Sequence, residues 1–230
     1  MPRRSIHPVV AALVAAVGLA VVPGVASAAG GCSVPRAATV AQNETTQVLV
    51  RSTLHRSGPS AVPTHQNEAF VCSVKSGKLT RVINSTHPQP GFFESVKVAG
   101  HYAGILYSYT TGNGPNDTQA LTIWNVRTGT RIGREFQRNV SHCQCAGIGT
   151  FVLNAAGSYA FSLWPASDTF QISLWKVEAR GTKRTSLGIW TDYDDQTLPD
   201  VFSLAITDDG RHVFWLDRAL QKPNSASLKA

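Results

Sequence analysis

The chain is predicted to be all-β, built from antiparallel four-stranded units that repeat about every fifty residues. Three observations lead there. "QALTIWNVRTGTRI" (Gln119 to Ile132) and "FQISLWKVEARGTKR" (Phe170 to Arg184) place Trp and Val alike, with Trp124 and Trp175 51 residues apart. Apolar and polar residues alternate in short runs broken by Gly, Pro and Ser/Thr-Gly, the pattern of strands and turns. No segment after the N-terminal leader carries a helical period, and only 15% of residues are charged.

The elements follow in order from those signals. Residues 1–28 read as a signal peptide: Arg3 and Arg4 lead, Val9 to Val22 is apolar, and Ala26-Ser27-Ala28 offers small residues for cleavage near Ala28–Ala29. Fourteen apolar residues are too few for a comfortable span, which needs about 20. Secretion is therefore expected, with no membrane span after cleavage. Retention by the uncleaved leader, or a lipid on Cys32 after "AGG", are the alternatives. Residues 29–46 are expected to be flexible. The units are expected at about 47–90, 93–140, 149–191 and 201–230.

Within the units a second match supports the first. "VKVAGHYAGILY" (Val96 to Tyr107) aligns with "LNAAGSYAFSLW" (Leu153 to Trp164), and "ITDDGRHVFWL" (Ile206 to Leu216) repeats the glycine. Gly100, Gly157 and Gly210 thus share one place, 57 and 53 residues apart. Each is expected in a hairpin turn with φ > 0, which glycine adopts without steric cost. A fainter first copy ends in "AFVCSVKSGKLTRV" (Ala69 to Val82), where Cys72 stands 52 residues before Trp124, in the tryptophan's place. In the second copy the strands are expected near Ser95–Val98, Tyr102–Tyr109, Ala120–Val126 and Thr130–Glu135.

"IWNVRTG", "LWKVEARG" and, without the aromatic, "VCSVKSG" resemble the third strand and turn of blades of the β-propeller superfamily, of WD-repeat and TolB-like type. The resemblance covers roughly residues 45 to 230. The Gly-His and Trp-Asp dipeptides of WD repeats are missing apart from Gly100-His101. It implies an exported, bacterial-type propeller-like chain. A β-sandwich is the other fold that such strands can build. Because Trp follows the shared Gly by 24 or 18 residues, Gly210 places the next third strand near 228 to 234, so the last blade is expected to be partial. That would leave the edge of "HVFWL" (His212 to Leu216) open, a template for self-association.

Four cysteines (Cys32, Cys72, Cys143, Cys145) survive cleavage, and an even number in an exported chain points to disulfides. Cys143 and Cys145 are too close to bond each other without strain, so each is expected to reach back to Cys32 or Cys72. Losing Arg3 and Arg4 leaves 19 basic and 14 acidic residues, a net charge of +5. Those charges are scattered rather than striped, which argues against a nucleic-acid partner.

Catalytic fingerprints are missing: no Gly-x-Ser-x-Gly elbow, no Walker loop, no His-Glu-x-x-His. His101 and His212 begin second strands beside the shared turn and are candidates for one ligand-binding face. Trp164 and Trp190 are candidates for stacking on a ligand. "TDYDDQTLPD" gathers Asp192, Asp194, Asp195 and Asp200, hard oxygen donors that suit Ca²⁺; no other cofactor is implied. Asn43-Glu44-Thr45 is a glycosylation triplet. The expectation is a secreted, non-catalytic binding module for a protein or cell-envelope ligand. The alternatives are an exported hydrolase or lactonase, or an inactive fragment of a longer propeller.

Overall fold

A computed structural model describes residues 31–56, 58, 63–87, 92–110, 117–138, 147–164, 170–179, 183–192, 203–217 and 222–229. They form four antiparallel sheets, each a meander in chain order. Sheet 1 holds β1 (Ala38–Gln42), β2 (Thr46–His55), β3 (Thr64–Ser73) and β4 (Lys78–His87). Sheet 2 holds β5 (Phe92–Ala99), β6 (Tyr102–Thr110), β7 (Asp117–Asn125) and β8 (Thr130–Arg138). Sheet 3 holds β9 (Gly147–Leu153), β10 (Tyr159–Trp164), β11 (Phe170–Val177) and β12 (Arg184–Asp192). Sheet 4 holds β13 (Ala205–Ile206), β14 (His212–Asp217) and β15 (Lys222–Ser227). Among the described residues no helix is long and apolar enough to cross a membrane.

The sheets pack in sequence. Val48, Ala69 and Val71 of sheet 1 meet Ala103, Ile105, Tyr107 and Val126 of sheet 2 or its turn. Leu106, Leu121 and Ile123 meet Ile148, Phe151, Leu153, Tyr159 and Phe161 between sheets 2 and 3. Val152, Ala160 and Leu174 meet Leu204, Val213, Trp215 and Leu228 between sheets 3 and 4. First strands touch first strands: β1 against β5, β5 against β9, β9 against β13. This is the radial stacking of a propeller-like fold and not a sandwich, in which strands of two sheets would alternate along the chain. Residues 67–73 of β3 are buried without alternation, because sheet 1 packs one face on sheet 2 and the other under Cys32, Val34 and Ala37.

The position shared by Cys72, Trp124 and Trp175 has one meaning throughout. Trp124 lies opposite Ala103, on the face toward sheet 1, and Trp175 packs into the cluster between sheets 2 and 3. Each tryptophan looks back at the preceding sheet. Sheet 1 has no preceding sheet among the described residues, and there Cys72 bonds to Cys32. Val34 and Ala37 cover Leu49 and Phe70 beside that bond. Arg51, ion-paired with buried Glu68, donates to the Pro35 carbonyl at 3.1 Å. Residues 32–37 thus form a strap that replaces a missing neighbour.

Several expectations are corrected. Within the segment expected to be flexible, residues 32–37 form the strap and Ala38–Gln42 form β1, because the end face of sheet 1 would otherwise expose Leu49 and Phe70. The disulfide joins Cys32 to Cys72, not either of them to Cys143 or Cys145, since the strap brings Cys32 onto the face where Cys72 points; Cys143 and Cys145 lie outside the described residues. The open edge at His212–Leu216 is covered. β15 pairs with β14 from His212↔Ser227 to Asp217↔Lys222, so self-association through that edge loses its basis. The connection at 218–221 is shorter than the loops from which the spacing was drawn. The outer strand β15 instead carries Lys222 and Pro223, residues that discourage further pairing.

The matched tyrosines are not equivalent either. Ala99 pairs directly with Tyr102, whereas residues 154–158 separate Leu153 from its partner Tyr159. An odd difference in turn length reverses the pleat, so Ala103 faces back to sheet 1 while Ala160 faces on to sheet 4. The shared glycines do have positive φ: 51° at Gly100, 90° at Gly157 and 68° at Gly210. At Gly157 a Cβ would also lie 2.7 Å from the Tyr102 ring.

Two outcomes follow. Cys72→Ser should cost about 4 kcal/mol, the loop-closure entropy of a 40-residue separation. Urea unfolding checks it: the wild-type curve in reductant should fall onto that of the variant, and coincidence of the reduced and oxidised curves would count against the strap. Gly157→Val should cost about 2–4 kcal/mol through strain and overlap. Gly58→Ala, where no atom lies within 4 Å of the added Cβ, should stay within about 0.5 kcal/mol.

Candidate functional site: the cleft between the first strands

One end of the molecule is fixed by turn-to-turn hydrogen bonds. Asn43 Oδ1 accepts from the Thr45 and Thr46 amides at 2.9 and 2.8 Å, closing the β1–β2 turn. Its Nδ2, with the Thr45 and Thr46 hydroxyls, donates to the Gly100 carbonyl in the next sheet. Asn154 repeats this two sheets on. Its Oδ1 accepts from Ala156 and Ser158, and its Nδ2 donates to the Gly210 carbonyl at 2.9 Å. Between them Gly100 sits against Ala155, with only 3.2 Å left for a Cβ. These contacts set the sideways spacing of β1, β5, β9 and β13.

That spacing leaves a cleft of about 410 Å³ between the four first strands. Ala41 and Gln42 line it from β1, Val96, Lys97 and Val98 from β5, Val152 and Leu153 from β9, and Ile206 from β13. The lining is apolar apart from one amide, Gln42, and one cation, Lys97. The Lys97 Nζ lies 5.4 Å from the Phe151 ring centroid, within the range of a cation–π contact. Phe151 reaches there because Gly104 has no side chain; a Cβ would lie 2.4 Å from its ring. Burial holds the Lys97 amine below the ordinary lysine value. Among the described residues no carboxylate forms an ion pair with it.

A second polar group is structural. Glu135 on β8 is buried, accepts from the Tyr159 hydroxyl at 2.8 Å and forms an ion pair with Arg184. Burial, then the adjoining Glu135 charge, push the Tyr159 hydroxyl far above its ordinary value, so it stays a donor. Gly133 leaves room for it, since a Cβ there would come within 2.7 Å of the Tyr159 oxygen. This network ties sheet 2 to sheet 3 and does not line the cleft.

The candidates from sequence are placed apart. His101 and His212 are exposed at the turn end, His101 in the β5–β6 turn of sheet 2 and His212 as the first residue of β14 in sheet 4, with the β9–β10 turn of sheet 3 between them. Their carbonyls serve the turns, accepting from the Val126 and Thr207 amides. Trp164 closes β10 at the opposite end, half-buried, and Trp190 lies in β12 opposite Ile172. Asp192 ends β12; Asp194, Asp195 and Asp200, and with them the expected calcium loop, lie outside the described residues. Of these, His101, His212 and Trp164 do not line the cleft.

Sequence reasoning missed Lys97 and Gln42. The available signal was a lysine among the apolar residues of "SVKVAG", at the place where the matched "VLNAAG" has the polar Asn154. It also took Asn43 only as part of a glycosylation triplet, not as a turn-closing latch.

No protein-family model and no curated protein matches the chain. Among solved structures the chain is similar to the WD40 domain of SCAP from fission yeast, at 8% identity and a TM-score of 0.26. That likeness covers 82% of this chain and 63% of the other. At such values it carries no weight here, and the propeller-like assignment rests on topology and packing.

The turn end also holds the last described residues. Glu178 accepts from the Lys229 amide at 2.8 Å and pairs with Lys176, whose Nζ donates to the Ser227 carbonyl. Ser158 Oγ donates to the Lys229 carbonyl, and Leu228 is buried between sheets 3 and 4. Burial pushes the Glu178 carboxyl up, but the Lys229 amide, Lys176 and Ser158 outweigh it and hold the carboxyl below its ordinary value. Such a group stabilises the fold above the ordinary glutamate value of about 4.3, and the stabilisation fades as pH falls through the lowered value. The protection of the Lys229 amide against exchange, relative to its intrinsic rate, should therefore fall on acidification below about pH 4, and Glu178→Gln should remove that dependence. An exchange rate in the wild type that tracks the intrinsic one throughout would dismiss the latch.

Proposed function

We propose that the protein is an exported, non-catalytic binding module that takes its ligand, a protein or a component of the cell envelope, at the cleft between β1, β5, β9 and β13. The carrying observation is that all four sheets contribute to one concave site, apolar with a few polar groups, as binding sites commonly are. Export is supported by the charged, apolar and small-residue pattern of residues 1–28 and by the Cys32–Cys72 bond, which suits an oxidising compartment. The binding role is supported by the lining itself. Its one cation has no carboxylate partner among the described residues, so no nucleophile–base pair of the usual kind is evident there.

Two measurements test this reading. N-terminal sequencing of the protein from culture medium should find a terminus near Ala29; material confined to the cell with Met1 or Pro2 intact would refute export. A photo-crosslinking amino acid at Gln42, an exposed residue of the cleft, should give a discrete adduct in cells, which mass spectrometry then weighs. The same group at Leu79, exposed on outer strand β4, should give none. Equal labelling from both positions, or none from Gln42, would overturn the cleft as the binding site.

A further inference from the structure

We infer that the cleft binds an aliphatic carboxylate, its hydrocarbon body against Val96, Val98, Val152, Leu153 and Ile206 and its carboxylate on the Lys97 ammonium. The inference rests on the cleft as binding site and goes on to name the class of ligand.

The chemistry of the lining selects that class. Five branched aliphatic residues from three sheets line the cleft, and burying the hydrocarbon of a ligand against such a wall is favourable. A sugar or nucleotide needs several converging donors and acceptors, and this lining has Gln42 and Lys97 only. Charge decides the rest of the ligand. A half-buried ammonium with no ion pair among the described residues favours an anion, because partial desolvation strengthens a charge-assisted hydrogen bond. The Phe151 ring supports the ammonium from the other side at 5.4 Å. A neutral hydrocarbon would satisfy the wall and not the cation; a small inorganic anion would satisfy the cation and not the wall. The volume of about 410 Å³ falls within the usual range of small-molecule sites, roughly 300–1,000 Å³.

Isothermal titration of the full mature chain with decanoate tests this, with decanol and the peptide acid acetyl-Val-Leu-Ile as comparisons. Decanoate should bind saturably at one site. Decanol should bind at least tenfold more weakly. Lys97→Met should weaken decanoate at least tenfold while leaving the urea midpoint near wild type, and Lys97→Arg should retain the affinity within about threefold. Equal affinity for decanol, unchanged binding in Lys97→Met, no binding of decanoate, or binding of the peptide acid alone would each overturn the inference. A failure here alongside a Gln42 adduct would reject the ligand class and leave the cleft standing as the binding site.

Discussion

Everything in this molecule depends on one constraint: a twisted four-stranded sheet with two apolar faces cannot stand without a neighbour on each. Sheets 2 and 3 satisfy it through the clusters around Ile105 and Phe151. The tryptophans of the third strands are part of that contact, each turned toward the sheet before it. Sheet 1 is the informative exception. Where a tryptophan would have nothing to meet, the chain places Cys72, and the strap bonded to it through Cys32 covers Leu49 and Phe70. Sheet 4 meets the constraint differently. Its inward face holds Val213 and Trp215, while its outward face is polar around His212, Ser225 and Ser227 and leaves Phe214 36% exposed.

Hydrophobic contact is non-directional and does not by itself set how the sheets are turned about their common axis. Polar contacts between neighbours do. The Gly100 carbonyl receives Asn43, Thr45 and Thr46; the Gly210 carbonyl receives Asn154; Glu135 holds Tyr159 and Arg184 across the middle interface. Register shifts add twist in each of the first three sheets, between Ala69 and Phe70, Ile123 and Trp124, and Leu174 and Trp175. The cleft results from these choices. First strands held side by side, with glycine at Gly104 admitting Phe151, leave a space that Lys97 reaches with its aromatic support.

This accounts for a site built from ordinary residues. Nothing in Ala41, Val98 or Leu153 marks them in the chain; they matter because three hairpin turns and a strap bring them to one axis. The conspicuous residues of the sequence have quieter roles. His101 and His212 serve turns through their carbonyls, and the shared glycines serve close approach as much as positive φ: Gly157 lies against Tyr102 and Gly210 against Asn154.

The sequence by itself determined the strands, the turns and their repetition. Alternation, Thr-Gly turns and the Gly100–Gly157–Gly210 spacing are local properties, written into each unit by steric preference and pleat. It also marked Cys72 as standing in the tryptophan's place. Only the tertiary structure decided what that exchange was for, because the partner, Cys32, lies 40 residues away in a segment without periodicity. Only it showed that Tyr102 and Tyr159 part company, since three additional turn residues reverse the pleat while leaving the letters aligned. And only it brought Lys97 into an apolar cleft, because convergence of four first strands is a property of packing between units, which no single repeat contains.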